Sequence, residues 1–250
     1  MNPYENFKRE CANEISIQGG DSALAKASRD WMDLANPRKY SYHFEWLGRP
    51  IIQYPQDMVA LQEIVWRVQP DLIVETGIAH GGSLIFSASL LELIAACGGP
   101  QDARVLGIDI DIRSHNRKAI ESHPLSRRIS MIQGSAIDEM IAAQVGVMAK
   151  DRERIMVILD SNHTHAHVLR ELELYSPLIR KGSYLVVFDT VIEDMPEDSF
   201  PDRPWGRGNN PRTAVWEFLK ATSRFRIDHK IQDKLLLTVA PDGYLECVAD

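Results

Sequence analysis

Apolar and polar positions repeat at two different periods along this chain, and each change of period marks an element. From about Asp71 onward, short β-branched runs take turns with helix-length segments. "DLIVET" (71–76), "RVLGID" (104–109), "RISMIQ" (128–133), "RIMVILD" (154–160) and "SYLVVFD" (183–189) read as strands. "GSLIFSASLLELIAAC", "RSHNRKAIESH", "SAIDEMIAAQVGVMA" and "HAHVLRELELYSPLI" stand between them and read as helices. Strands separated by helices make βαβ units and a parallel sheet covered on both faces. Right-handed crossovers then favour a doubly wound α/β sheet. After Asp189 a polar stretch rich in Pro, Gly and Asn runs to Pro211. "RTAVWEFLKAT" follows with helical spacing, and "FRIDHK" with "KLLLTVA" predicts a terminal hairpin. Upstream, "SALAKASRDWMDLA" and "QDMVALQEIVWRV" are also helical in spacing, the second bracketed by Pro55 and Pro70 as start and stop signals. The expected organisation is an N-terminal helical extension over residues 1–54 and an α/β domain over 55–250.

Composition narrows the classes. The 250 residues are 44% hydrophobic and 25% charged, enough to bury a core without disulfide staples. A net charge of -7 sets general nucleic-acid binding aside. The three cysteines, Cys11, Cys97 and Cys247, are few and far apart, which argues for a reducing compartment. "MNPYENFKRE" carries no apolar signal-peptide core. The apolar stretch 84–97 contains Glu92 and is too short for a membrane span. A cytoplasmic protein is expected, and the helical extension suggests a homo-oligomer.

In an open parallel sheet, ligands bind beyond the carboxyl ends of the strands. The first strand ends in "ETGIAHGGS", where Glu75 and Gly77 lead into Gly81, Gly82 and Ser83. Glycines let a ligand approach the backbone, and the helix behind them offers free N–H groups. The same residues would also serve a tight strand-to-helix turn. The spacing is not a strict G-x-G-x-x-G, which weakens a dinucleotide reading. Asp109 ends the second strand, where a carboxylate accepts hydrogen bonds from a ribose diol. Gly134 and Ser135 follow the third strand, where a polar turn borders an adenine or simply starts a helix. Asp160 and Asp189 end the fourth and fifth strands side by side. Two acids so close repel, and a divalent cation such as Mg²⁺ relieves them; two hydrated acids at a polar rim are the alternative.

Three histidines follow Asp160. His163 faces the same mouth and is placed to take a proton from a substrate hydroxyl. His165 is read as a surface or capping group. His167, four residues after His163, shares its helical face but lacks the H-E-x-x-H context of a zinc pair. Asp160, His163 and His167 together would also suit a non-haem iron or zinc oxygenase or hydrolase.

The segments "IVETGIAHGGSLIF", "VLGIDIDIRSHNR", "ILDSNHTHAHVLRELELYSPLIRKGSYLVVFDT" and "RPWGRGNNPRTAVWEFL" resemble the bacterial cephalosporin hydroxylase/rhamnosyl O-methyltransferase family, from about Tyr40 to the end. The resemblance implies a Rossmann-like class I methyltransferase fold, with a mostly parallel seven-stranded sheet, that binds S-adenosylmethionine and Mg²⁺. Strand order is similar to that of catechol-type O-methyltransferases. Glu75, Gly77 and Ser83 match the first cofactor motif, Asp109 the ribose-binding acid, Ser135 and Ala136 the turn beside the adenine, Asp160 and Asp189 the metal-ligating acids, and His163 the base. Asp160 also belongs to the expected cofactor-facing set. Three positions depart from the pattern. Phe188 stands where the family often has a glutamate, Asn162 where an aspartate is frequent, and Thr190 where catechol-type enzymes have an asparagine.

The resulting expectation is O-methylation of a hydroxyl on a sugar or small metabolite. The loop 193–212 would close over the acceptor, with Trp205 stacking on it and Arg207 and Asn209 hydrogen-bonding it. "YHFEWLGRP" would line the acceptor pocket or a subunit contact. A non-catalytic cofactor-binding partner is the other alternative, for which Phe188 speaks.

Overall fold

The computed structural model describes residues 2–250. Two helices open the chain, α1 (Pro3–Gly19) and α2 (Ser22–Ala35), followed by a small hairpin of β1 (Phe44–Trp46) and β2 (Arg49–Ile51). Then come α3 (Pro55–Val68), β3 (Leu72–Thr76), α4 (Gly82–Ala96), β4 (Arg104–Asp109), α5 (Ser114–Glu121), β5 (Ile129–Gln133) and α6 (Glu139–Ala149). The second half runs β6 (Ile155–Leu159), α7 (His165–Tyr175), β7 (Tyr184–Val187), α8 (Pro211–Ala221), β8 (Phe225–Ile227), α9 (His229–Leu235) and β9 (Tyr244–Cys247).

Seven strands form one sheet in the order β5-β4-β3-β6-β7-β9-β8. The first five pair in parallel, and β9 pairs antiparallel with both β7 and β8. Every residue of β3, β6 and β7 is buried, which is why β6 and β7 read as unbroken apolar runs and β3 departs from one only at Glu75 and Thr76. Successive side chains still go to opposite faces. Ile73, Met156, Ile158 and Val186 join the core under α3 and α4, while Leu72, Val74, Val157, Leu159 and Leu185 join the core under α7 and α8. Strand order reverses between β3 and β6, so the chain leaves these two neighbours in opposite directions and opens a crevice at their carboxyl ends.

The N-terminal extension is helical only in part, because β1 and β2 interrupt it. That hairpin lies on α4. Trp46 donates Nε1–H to Ser89 Oγ at 3.0 Å and stands edge-on to Phe86. A side chain at Gly82 would strike the Pro50 carbonyl at 2.2 Å, so only glycine admits the contact. α1 is tied to α9 through the Gln18 amide, which donates to the Asp233 and Lys234 carbonyls.

The expected terminal hairpin is corrected. "KLLLTVA" is not a strand: Lys234 and Leu235 end α9, Leu236 turns at φ 61°, and Thr238 and Val239 are captured by Asp57 of α3. The strand role passes to "YLEC", beyond the turn at Asp242 and Gly243.

Candidate active site

Three strand ends converge on one cavity of about 690 Å³. Its inner wall is Gly77, Ile78, Ala79, His80, Gly82 and Ser83 from the β3–α4 turn, with Asp160, Ser161 and His163 after β6 and Asp189 after β7. Gly77 is required twice over. Its φ is +91°, and a Cβ there would lie 2.0 Å from the Asp160 carbonyl oxygen. Gly81, also left-handed at φ 83°, turns the chain into α4, with its N–H on the Ile78 carbonyl.

Asp109 buttresses this loop. Its Oδ2 accepts from the Ile78 and Ala79 N–H groups at 2.8 and 3.3 Å, and its Oδ1 from the Asp111 N–H. Arg49 of β2 braces the same loop by donating to the His80 carbonyl and to Asn116 Oδ1, and Asn116 donates to the Ala79 carbonyl. Glu75 does not reach the cavity. Its 2% exposed carboxylate accepts from the Ser83 hydroxyl and from Ser87, and burial pushes its pKa up to about 7. Asp109, Ser135 and Ala136 also stand outside the cavity lining. Ser135 and Ala136 lie beyond the tip of β5, where the Ala136 carbonyl accepts from the Tyr175 hydroxyl at 2.7 Å.

Asp160, His163 and Asp189 each offer a ligand atom within 4.8 Å of the others. His163 Nε2 is 3.1 Å from Asp189 Oδ2. Asp189 sits at φ 56°, a left-handed conformation unusual for a residue with a side chain, and such strain collects at functional sites. Burial holds the Asp160 carboxyl well above its usual range, with the neighbouring charges of Asp189, Glu75 and Glu171 adding to it. Phe188 is 2% exposed within the apolar core and offers no ligand atom.

The triad of Asp160, His163 and His167 does not form. His167 Nε2 is 3.2 Å from Ser161 Oγ and 3.7 Å from the buried Glu171, and Asp189 takes the third place beside His163. His165 packs on α8, against Thr213 and Glu217.

The outer half of the cavity has two walls. One is the loop after β7, with Ile192, Met195, Phe200, Arg203 and Trp205. Trp205 stands edge-on to the His163 ring at 4.8 Å, and Arg203 lies over the Trp205 ring. Arg207 and Asn209 are turned to building this loop instead of lining the cavity. Arg207 donates to the Glu193 carbonyl, and Asn209 bonds the Pro204 carbonyl and the His165 N–H. The facing wall is the segment from Asp33 to Tyr54, with Asn36, Lys39, Tyr42 and Gln53. "YHFEWLGRP" points to that segment and "RPWGRGNN" to the loop of Arg203, though Arg203 itself was not singled out; Gln53 had no motif to betray it.

Residues 38–248 match the model of the rhamnosyl O-methyltransferase/CmcI family. Rhamnosyl O-methyltransferases of Mycobacterium bovis and Mycobacterium tuberculosis are 32% identical over 194 residues, covering 76% of this chain and 72% of theirs. The chain belongs to this family. It is therefore an S-adenosylmethionine-dependent O-methyltransferase, as its motifs imply. A solved CmcI structure with Mg and SAM superposes with a TM-score of 0.57 at 20% identity, over 83% of this chain and 78% of that one. An O-methyltransferase from Bacillus cereus in complex with SAH gives 0.52 at 15% identity, over 92% of each chain. Both share the Rossmann-like class I fold. No helix among the described residues is long and apolar enough to cross a membrane.

Proposed function

We propose that this family member transfers a methyl group from S-adenosylmethionine to a sugar hydroxyl, with a divalent cation at Asp160 and Asp189. The observation that carries the reading is the meeting of the Gly77 loop, Asp160, His163 and Asp189 on one cavity. The residues suit both groups. The side-chain-free backbone at Gly77 and the N-terminus of α4 suit a polar cofactor tail, and Asp109 lies beside that loop for a ribose. The Asp160 and Asp189 carboxylates suit a cation, whose charge relieves the repulsion between them, and leave the His163 imidazole beside it free to accept a proton. Mg²⁺ is the ion of the CmcI structure and is carried to this chain by that likeness.

The sulfonium supplies an already activated methyl, and the cation supplies Lewis-acid charge. What remains for the chain is alignment and proton removal. His163 takes the hydroxyl proton at its imidazole, held between Asp189 and the Trp205 ring. Trp205, Phe200 and Tyr42 offer flat apolar faces, and Asn36, Ser199 and Arg203 offer hydrogen bonds. Such a mixed wall suits a sugar ring better than a wholly apolar molecule. A rhamnosyl acceptor is favoured because the relatives at 32% identity are rhamnosyl O-methyltransferases.

We also read residues 1–54 as an extension of the 55–250 domain, because it supplies one cavity wall. The net charge of -7 speaks against nucleic acid, and the far-apart free cysteines suit the cytoplasm. Exposed Phe7, Ile17 and Leu34 on the extension suit contact with further copies. The test is transfer of labelled methyl from S-adenosylmethionine to rhamnosides and other free glycosides, with the product located by mass spectrometry. Donor binding without transfer to any glycoside would refute the acceptor assignment.

A further inference from the structure

We propose that Gln53 is a positioning residue for Asp160, and that the strap 49–54 sets the cofactor loop and this acid in register. The proposal rests on the reading of the site given above. Gln53 lies between β2 and α3, is 5% exposed, and reaches the cavity. Its amide donates Nε2–H to Asp160 Oδ2 at 3.1 Å. Asp189, Glu75 and Glu171 crowd Asp160 with like charge, and Gln53 is the side chain that donates to it.

The other end of the amide shows what sets its orientation. Gln53 Oε1 is buried and has no hydrogen-bond partner. A buried carbonyl left bare is destabilising, and such atoms in a folded protein call for an explanation. Here the explanation is the carboxylate. An ionised Asp160 only accepts, so the nitrogen must face it and the oxygen is left over. With Oδ2 held by Gln53, the carboxylate cannot swing freely, and Oδ1 keeps one direction relative to Asp189 and His163.

The strap carries the same constraint to the cofactor loop. Arg49 grips the His80 carbonyl, with Nη2 at 2.5 Å and Nε at 3.0 Å, and the Pro50 carbonyl seats against Gly82. At its far end the Tyr54 hydroxyl donates to Asn36 Oδ1 at 2.5 Å, fixing the strap to the acceptor wall. Within six residues the chain touches the donor side, the acid and the acceptor side. Gln53 acts on the reaction only through Asp160.

The experiment compares wild type with Gln53→Met, which keeps length but removes the donor, and Gln53→Asn, which keeps the amide but is a methylene short. Mn²⁺ binding is followed by electron paramagnetic resonance, S-adenosylhomocysteine binding by calorimetry, melting by calorimetric scan, and methyl transfer at saturating donor. Both variants are expected to bind Mn²⁺ at least tenfold more weakly. Turnover should fall by a similar factor, while S-adenosylhomocysteine affinity stays within twofold and melting is unchanged. Variants that match wild type in Mn²⁺ affinity and turnover overturn the proposal. So does a joint fall in melting temperature and S-adenosylhomocysteine affinity in both variants, which would make Gln53 a packing residue. A wild-type protein that binds neither probe overturns the reading of the whole site, and this inference with it.

Discussion

Asp160 is placed where its carboxylate does two opposed things. It is half-buried among other acids, which disfavours its charge, and it faces the cavity where that charge is needed. Asp160→Asn keeps the shape and removes the charge. Turnover is expected to fall beyond detection while S-adenosylhomocysteine still binds within a few-fold of wild type, because the donor loop is held by Asp109 and Arg49. Calorimetry beside a methyl-transfer assay checks both halves; activity that survives both the substitution and a chelator would remove the metal role. Asp109 behaves in the opposite way. Its Oδ2 holds two N–H groups of the loop, so Asp109→Ala loosens the loop and removes the ribose partner together. S-adenosylhomocysteine affinity should drop more than tenfold, about 1.4 kcal/mol or more. An unchanged affinity in the same titration would take the ribose assignment away.

At the scale of elements, the critical contact is between the β3–α4 turn and the end of β6. Gly77→Ala would force a side chain into a left-handed backbone, at about 1–2 kcal/mol, and drive its Cβ onto the Asp160 carbonyl. The turn cannot move away without giving up the Asp109 and Arg49 contacts. Loss of several kcal/mol of unfolding free energy and of donor binding is expected, measured by urea denaturation and calorimetry. A stable variant that binds S-adenosylhomocysteine normally would mean the turn is not the donor cradle. This turn was legible in the sequence because glycines, an acid and a helix start coincide there. The sheet was legible because strands buried on both faces are mostly apolar, β3 departing from this only at Glu75 and Thr76. The hairpin β1–β2 was not: its strands have three residues each, too few to show a period. "KLLLTVA" misled for a physical reason, since an apolar run fills a core equally well as the end of a helix and a loop held by Asp57. Arg207 and Asn209 were read as acceptor ligands from their loop, but a loop rich in Pro and Gly must satisfy its own backbone first. Their side chains, together with Glu193, do that.

Across the whole molecule, buried acids make stability depend on pH in an uncommon direction. Glu75 is shifted from 4.5 to about 7 and Asp57 from 3.8 to about 6, both by burial. Each folded pKa lies above the unfolded one, so the folded state binds the proton more tightly. The stabilisation is full below the unfolded value and is lost as pH rises through the folded value. For Glu75 the window is therefore about pH 4.5 to 7. Glu75→Gln keeps the shape and stays neutral, so wild type forfeits stability across this window and the variant does not. Asp57 is present in both proteins and cancels from their difference. Removing the Glu75 charge also relieves Asp160, which works in the same direction. Urea unfolding of the ligand-free proteins at pH 4.5, 6 and 8 should show the balance moving toward the variant, by up to about 3 kcal/mol. The variant is expected to lag or match wild type at the acid end, where the Ser83 and Ser87 hydroxyls meet a neutral carboxyl, and to overtake it near neutrality. A difference that stays flat with pH would mean that Glu75 titrates alike in the folded and the unfolded chain, its serine donors offsetting the burial.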